Sequence, residues 1–278
     1  MTRPRPVMTR VVAGVATLGM IALAAPAAAS ARVATARLGQ VSATLTFTGT
    51  TVTAASVHLK ITDGGRTVFD RAVDRSRCRG CVPDDLSPRS TPVRVIDLEG
   101  TGRPDVVLGL FSGGAHCCYT DQVYRVDPST RKVSMSSHDF LDAGAFVQGV
   151  DGAFRFLSAD ERFAYAFASF ASSGAPIQIW KFAGGRFTDV TDAYPALITA
   201  DAAEWFKEFK AGIKRRDTEG LITAWAADEE RLGNGALVTS TLQAQLRAGH
   251  LESLSGPPTG GAFITALMKL LRRDGYIG

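Results

Sequence analysis

An α+β fold follows from three observations on the sequence. Up to about residue 190, apolar residues alternate with polar ones at a period of two, and turn-forming Gly, Asp and Pro punctuate the runs. Beyond that point they recur at intervals of three and four, and the strand-like stretches all precede the helical ones rather than alternating with them. This order predicts an antiparallel β-rich domain over residues 32–191, made of two degenerate repeat units, followed by a helical region over 192–278.

Residues 1–31 come first, with Arg3, Arg5 and Arg10 ahead of an apolar run from Val11 to Ala25 and small residues ending in Ala29-Ser30-Ala31. This is the pattern of a secretory signal peptide cleaved after Ala31. Its apolar core of about 15 residues is short of the roughly 20 that a spanning helix needs. A secreted or otherwise extracytoplasmic protein with no transmembrane span after cleavage is the expectation. The formal charge of +4 comes from 31 basic and 27 acidic residues; 31 less the three signal arginines is 28, and the balance falls to +1. No basic stripe remains to meet nucleic acid. An apolar content of 45% predicts a packed chain rather than a disordered one.

From Gln40 to Val73 the sequence is rich in Val, Thr and Phe, and Asp63-Gly64-Gly65 separates the runs 57–62 and 66–73, which read as a hairpin because these turn residues supply positive φ. His58, within the first run, reads as a half-exposed strand residue. The loop CRGCVPDDLSPRSTP follows. Further strands are expected at Val93–Ile96, Asp105–Phe111, Gln122–Val126, Ala153–Leu157, Arg162–Ala168 and Pro176–Phe182. A turn, strand, loop and strand over 97–126 are echoed over 151–182, which is the basis for two repeat units.

After the linker Asp192-Ala-Tyr-Pro, Asp201 and Glu204 read as a capping pair ahead of Trp205, Phe206, Phe209 and Ile213 at helical spacing. Amphipathic segments at about 218–232, 236–248 and 260–274 end at Gly233, Gly249 and Gly275, where helix C-terminal glycines belong. His138 and His250 read as loop residues in polar surroundings.

Four cysteines, Cys78, Cys81, Cys117 and Cys118, fall in the exported part, where oxidation is expected. Three pairings exist. Linking the first pair to the second would close loops of about 40 residues, worth on the order of 4 kcal/mol in the chain-entropy model. That connectivity is favoured over the local one, 78 with 81 and 117 with 118. A Cys/His metal site has the right ligand types, but adjacent cysteines seldom both ligate one ion.

Asp97, Glu99, Thr101, Arg103 and Asp105 stand at alternate positions with Gly100 and Gly102 between them. Four side chains and the carbonyl of Arg103 would offer five oxygens, and calcium takes six to eight hard oxygens. The stretch resembles the calcium loops of FG-GAP/VCBS-type repeats of integrin-like β-propellers, which read approximately D-x-D-G-D-G-x-x-D. Asp97, Gly100, Gly102 and Asp105 match, whereas Glu99 and Thr101 depart. A tight turn without an ion, with Pro104 setting its exit, uses the same residues and is the reading those departures favour. Over about 40–275 the chain is similar to exported bacterial proteins of unassigned function that carry such segments, on the run through SGGAHCC, on DERFAYAFASFASSGAPIQIW and on the helix around Trp225. The resemblance implies adhesion or ligand display on a rigid β scaffold. No F-G-x-G-x-P signature follows the loop.

The function expected is therefore a scaffold or binding protein for an unknown extracellular ligand or protein, stabilised by disulfides, with calcium as the one cofactor to consider. A hydrolase with a site near Ser112 and His116, with Asp97 as third member, is the alternative. Ser112 lacks the G-x-S-x-G spacing of a nucleophile elbow, because Leu110 stands two residues before it. No residue is assigned a catalytic role.

Overall fold

The computed structural model describes residues 31–49, 53–78, 80–84, 91–114, 117–150, 152–252, 256 and 258–278. The signal-peptide stretch lies outside them, apart from Ala31. The fold is α+β: antiparallel sheets fill the N-terminal part and helices the C-terminal part.

Among the described residues the strands form three antiparallel sheets. The first contains β1 (Ala31–Leu38), β2 (Val41–Gly49), β3 (Ala54–Asp63) and β4 (Arg66–Ala72) in that order. The second contains β5 (Val82–Pro83) and β6 (Val93–Ile96), both paired to β7 (Asp105–Gly114), then β8 (Cys117–Val126) and β9 (Val133–Leu141). The third runs β10 (Phe146–Val150), β11 (Ala153–Ala159), β12 (Ile177–Ala183) and β13 (Arg186–Asp189). The β3–β4 hairpin turns where it was expected, with Gly64 and Gly65 at φ 56° and 78°, the left-handed values a two-residue turn demands.

The middle sheet is packed on both faces. Ala43, Leu45 and Phe47 of β2 and Val57, Leu59 and Ile61 of β3 meet Val106, Leu108, Leu110 and Tyr124. On the opposite face Val107, Val123 and Phe140 meet Phe156 and Phe182 of the third sheet. Side chains alternate across a strand, so only a strand covered on both sides reads as a continuous apolar run. This is why VVLGLF lacks the polar alternation of β2.

Four α-helices follow among the described residues: α1 (Pro195–Gly212), α2 (Glu219–Arg231), α3 (Gly235–Arg247) and α4 (Gly260–Arg273). Every residue from Glu219 to Asp228 is buried. A helix apolar around most of its circumference is a central one, and α2 is ringed by Phe209, Val238, Leu242, Phe263 and Leu267. The helices stop at Gly233, Gly249 and Gly275, each with positive φ, as expected. None of the helices is long and apolar enough to cross a membrane.

Three expectations are corrected. The strand expected at Arg162–Ala168 is absent; that stretch holds a 3-10 turn at Glu161–Phe163 and irregular chain. Its spaced aromatics serve the helices instead: Phe163 meets Tyr276 edge-on at 5.3 Å and Phe167 meets Phe263 at 5.0 Å. Asp201 is not a cap, because α1 starts six residues earlier at Pro195, a residue suited to the first turn. His138 lies in strand β9 among aromatic rings, not in a polar loop.

Candidate functional site

The cysteines are paired locally. Cys78 is bonded to Cys81 across a Cα separation of 5.5 Å, so neither can reach the β7–β8 hairpin, and the expected long cross-links do not form. Cys118 is itself disulfide-bonded, and the side chain of Cys117 is outside the described residues. The Cys81 carbonyl accepts from Arg75 Nη1 at 2.7 Å, and the same nitrogen bonds Ala54 O at 3.0 Å, which clips this short loop to the first sheet. A cross-link over so few residues contributes about 2 kcal/mol in the chain-entropy model, roughly half of what a 40-residue loop would give. The double variant C78A/C81A is accordingly expected to lose only about that much in denaturant titration; a loss twice as large would contradict the local pairing.

In the hairpin itself, Ser112 Oγ accepts the amides of Cys118 at 2.5 Å and Gly114 at 3.3 Å. Its hydroxyl thereby organises the hairpin backbone. His116 lies outside the described residues.

The oxygen-rich turn is organised by backbone amides and by one arginine. Asp97 Oδ1 accepts from Thr101 N at 3.0 Å and its Oδ2 from Gly102 N at 2.6 Å. Asp105, fully buried at the start of β7, takes Arg125 Nε and Nη2 at 2.8 and 3.0 Å in a fork. Glu99 contacts the remaining Nη1 of Arg125 and accepts from Gly184 N at 3.1 Å. Burial raises the Asp105 pKa, with Arg125 opposing it, while its bond to Asp105 and its contact with Glu99 hold Arg125 protonated. Thr101 and Arg103 are exposed at the rim.

A cavity of about 180 Å³ opens beside this turn, lined by Glu99, Thr101, Arg103 and Arg125, and a second open volume lies elsewhere. A cleft of about 250 Å³ lies between β9 and the chain at 158–162, lined by His138, Asp139, Glu161, Arg162, Gln178 and Trp180. His138 and Trp180 have ring centroids 4.1 Å apart, with Phe140 and Phe187 against the imidazole at 4.6 and 5.2 Å. Burial lowers the His138 pKa, so the ring is neutral at pH 7. Burial, then the charge of Asp142, raises Glu161. Asp139 Oδ1 accepts from Thr120 Oγ1 at 2.7 Å. The Trp180 indole N–H is buried with no acceptor. Nothing in the sequence marks this cleft, because its residues come from β9, the end of β11 with the turn that follows it, and β12.

Two buried acids were also missed. Asp121 in β8 faces Gly109 and Asp84; burial pushes its pKa to about 7, and its Oδ2 has no partner. Asp228, completely buried in α2, has its pKa pushed to about 9 by burial and by the charge of Asp201. Neither oxygen of Asp228 accepts a hydrogen bond, whereas Asp201 Oδ2 accepts from Ile177 N and Trp205 Nε1, each at 3.0 Å. Burial and the neighbouring charge of Asp201 therefore favour the protonated form of Asp228, while Asp201 ties α1 to β12 through Ile177 N.

No family model matches the chain. No solved structure matches it either. It is 29% identical over 152 residues to a probable thylakoid lumen protein of Synechocystis, an alignment covering 51% of this chain and 45% of that protein. It is 26% identical over 208 residues to an uncharacterized protein of Sinorhizobium fredii, covering 67% of this chain and 32% of that one. The chain thus spans less than half the length of these curated relatives.

Proposed function

We propose that the chain is an extracytoplasmic binding protein, a rigid β scaffold that holds its ligand in the cleft beside His138 and Trp180. The cleft carries the reading: it joins an aromatic wall to convergent polar groups, the combination that small-molecule sites share. Its chemistry suits a ligand with one apolar face and several hydroxyl or amino donors, which Asp139, Glu161 and the Gln178 amide can accept. Export is supported by the N-terminal stretch, by the Cys78–Cys81 disulfide and by the likeness to a protein named for a lumen. Calcium enters this reading as a structural ion at most.

Thermal-shift screening with soluble oligosaccharides and polyamines tests the proposal, since a ligand bound only to the native state raises its midpoint. Glu161→Gln and Gln178→Ala, both at partly exposed positions, are expected to weaken a hit about tenfold, a loss on the scale of one hydrogen bond, while leaving the ligand-free midpoint in place. Hits that bind both variants as tightly as the native chain would move the site elsewhere.

A further inference from the structure

We propose that Arg125 is the resident cation of the turn at residues 97–105, and that its guanidinium occupies the place a calcium ion would take. The resemblance of this turn to calcium loops makes the ion the expected occupant, and the donor set tests that expectation. Calcium would need both oxygens of Asp97 or the carboxylates of Asp105 and Glu99. Each Asp97 oxygen already accepts a backbone amide, from Thr101 and from Gly102, and is directed at the turn's own backbone. Asp105 is bound through both oxygens by the arginine fork, and Glu99 Oε1 contacts its outer nitrogen. The residues present therefore fit a guanidinium, whose planar donors match two carboxylates in a fixed geometry.

An arginine also does here what a bound ion could not. Its Cζ stands 5.1 Å from the ring centroid of Phe182 in β12, a cation–π contact between the second and third sheets. Glu99 crosses the same seam to Gly184 N. Because Arg125 belongs to β8, the positive charge is covalently supplied and cannot be lost when calcium is scarce. The seam between the two sheets is then closed whatever the metal content of the compartment.

Melting of the full chain with about 5 mM calcium and with chelator is expected to give one midpoint for the native protein. Arg125→Ala leaves Asp105 and Glu99 facing each other uncompensated, and should melt roughly 5–10 °C lower. Its midpoint should rise by about 2 °C or more when calcium is added, as the metal enters the vacated place. Arg125→Lys, which keeps the charge but loses the fork, should fall between the two and stay indifferent to calcium. If Arg125→Ala does not fold, Arg125→Gln carries the same comparison with a shorter polar side chain. A native midpoint that moves with calcium overturns the proposal, and so does a neutral variant that ignores the ion.

Discussion

Asp228→Asn is expected to make the protein more stable at pH 8 and to flatten the dependence of its stability on pH. The folded pKa of Asp228 is raised to about 9, against 3.8 for the unperturbed side chain. Between those values the folded chain keeps a proton that the unfolded chain has released. Stability therefore falls as pH rises through that window, by about 1.4 kcal/mol per unit, and levels off above the folded pKa. Asparagine is neutral in both states and removes this slope. Discounting for relaxation of the buried site, the gain at pH 8 is about 1–3 kcal/mol, shrinking toward zero near pH 4. A slope of the same steepness from Asp121, confined to the narrower window between 3.8 and its folded pKa of about 7, should remain in the variant. Urea titrations of both proteins between pH 4 and 9 check this. Equal destabilisation at every pH would mean that Asp228 is not the proton carrier.

That pair also illustrates what the sequence could and could not convey. Asp201 and Glu204 have the spacing of a capping box, a pattern that by itself implies a purely local role. In the fold, Pro195 starts the helix and Asp201 is turned inward to collect a strand amide and an indole N–H, partners 24 and 4 residues away. The stretch ERFAYAFA misled for a related reason: period-two aromatics imply a sheet face only if a sheet lies beneath them. Here Phe163 and Phe167 reach into the helical core while Tyr165 remains exposed with φ 60°. Tertiary contacts override a local period in both cases. Where the signal is itself local, as at Gly64-Gly65 or at the glycines closing α2, α3 and α4, the sequence located the element to within a few residues.

The site was less legible than the fold. Asp97, Glu99 and Asp105 come together at one turn, as their spacing implied, yet the group that organises two of them is Arg125, twenty residues further on across the β7–β8 pairing. The Cys78–Cys81 bond is local to one segment, and spacing alone does not choose between it and a long staple. The cleft at His138 and Trp180 depends on sheet-to-sheet packing, and an edge strand such as β9, with serines at 134, 136 and 137, resembles a loop in composition.

Gly220→Ala should be strongly destabilising although it lies inside a helix, where alanine is ordinarily better than glycine by about 1 kcal/mol. The chain at 168–174 crosses α2 at this point, and Gly174 N donates to Gly220 O at 3.2 Å. A Cβ at residue 220 would lie 2.2 Å from Ser172 O, 2.9 Å from Ala168 Cβ and 3.0 Å from Ser173 Cα. These are backbone and stub atoms with no rotamer to escape into, so the whole crossing segment must lift away from α2. Overpacking of this kind costs about 3 kcal/mol or more, which exceeds the propensity gain and leaves a net loss of roughly 2 kcal/mol. Gly261→Ala is the matched control: it too is helical, its Cβ would meet nothing within 4 Å, and it should be neutral or slightly stabilising. Thermal melts of the two variants should consequently shift in opposite directions. If both rise, the segment at 168–174 does not press on α2, and the close packing that replaces the expected strand there would be wrong.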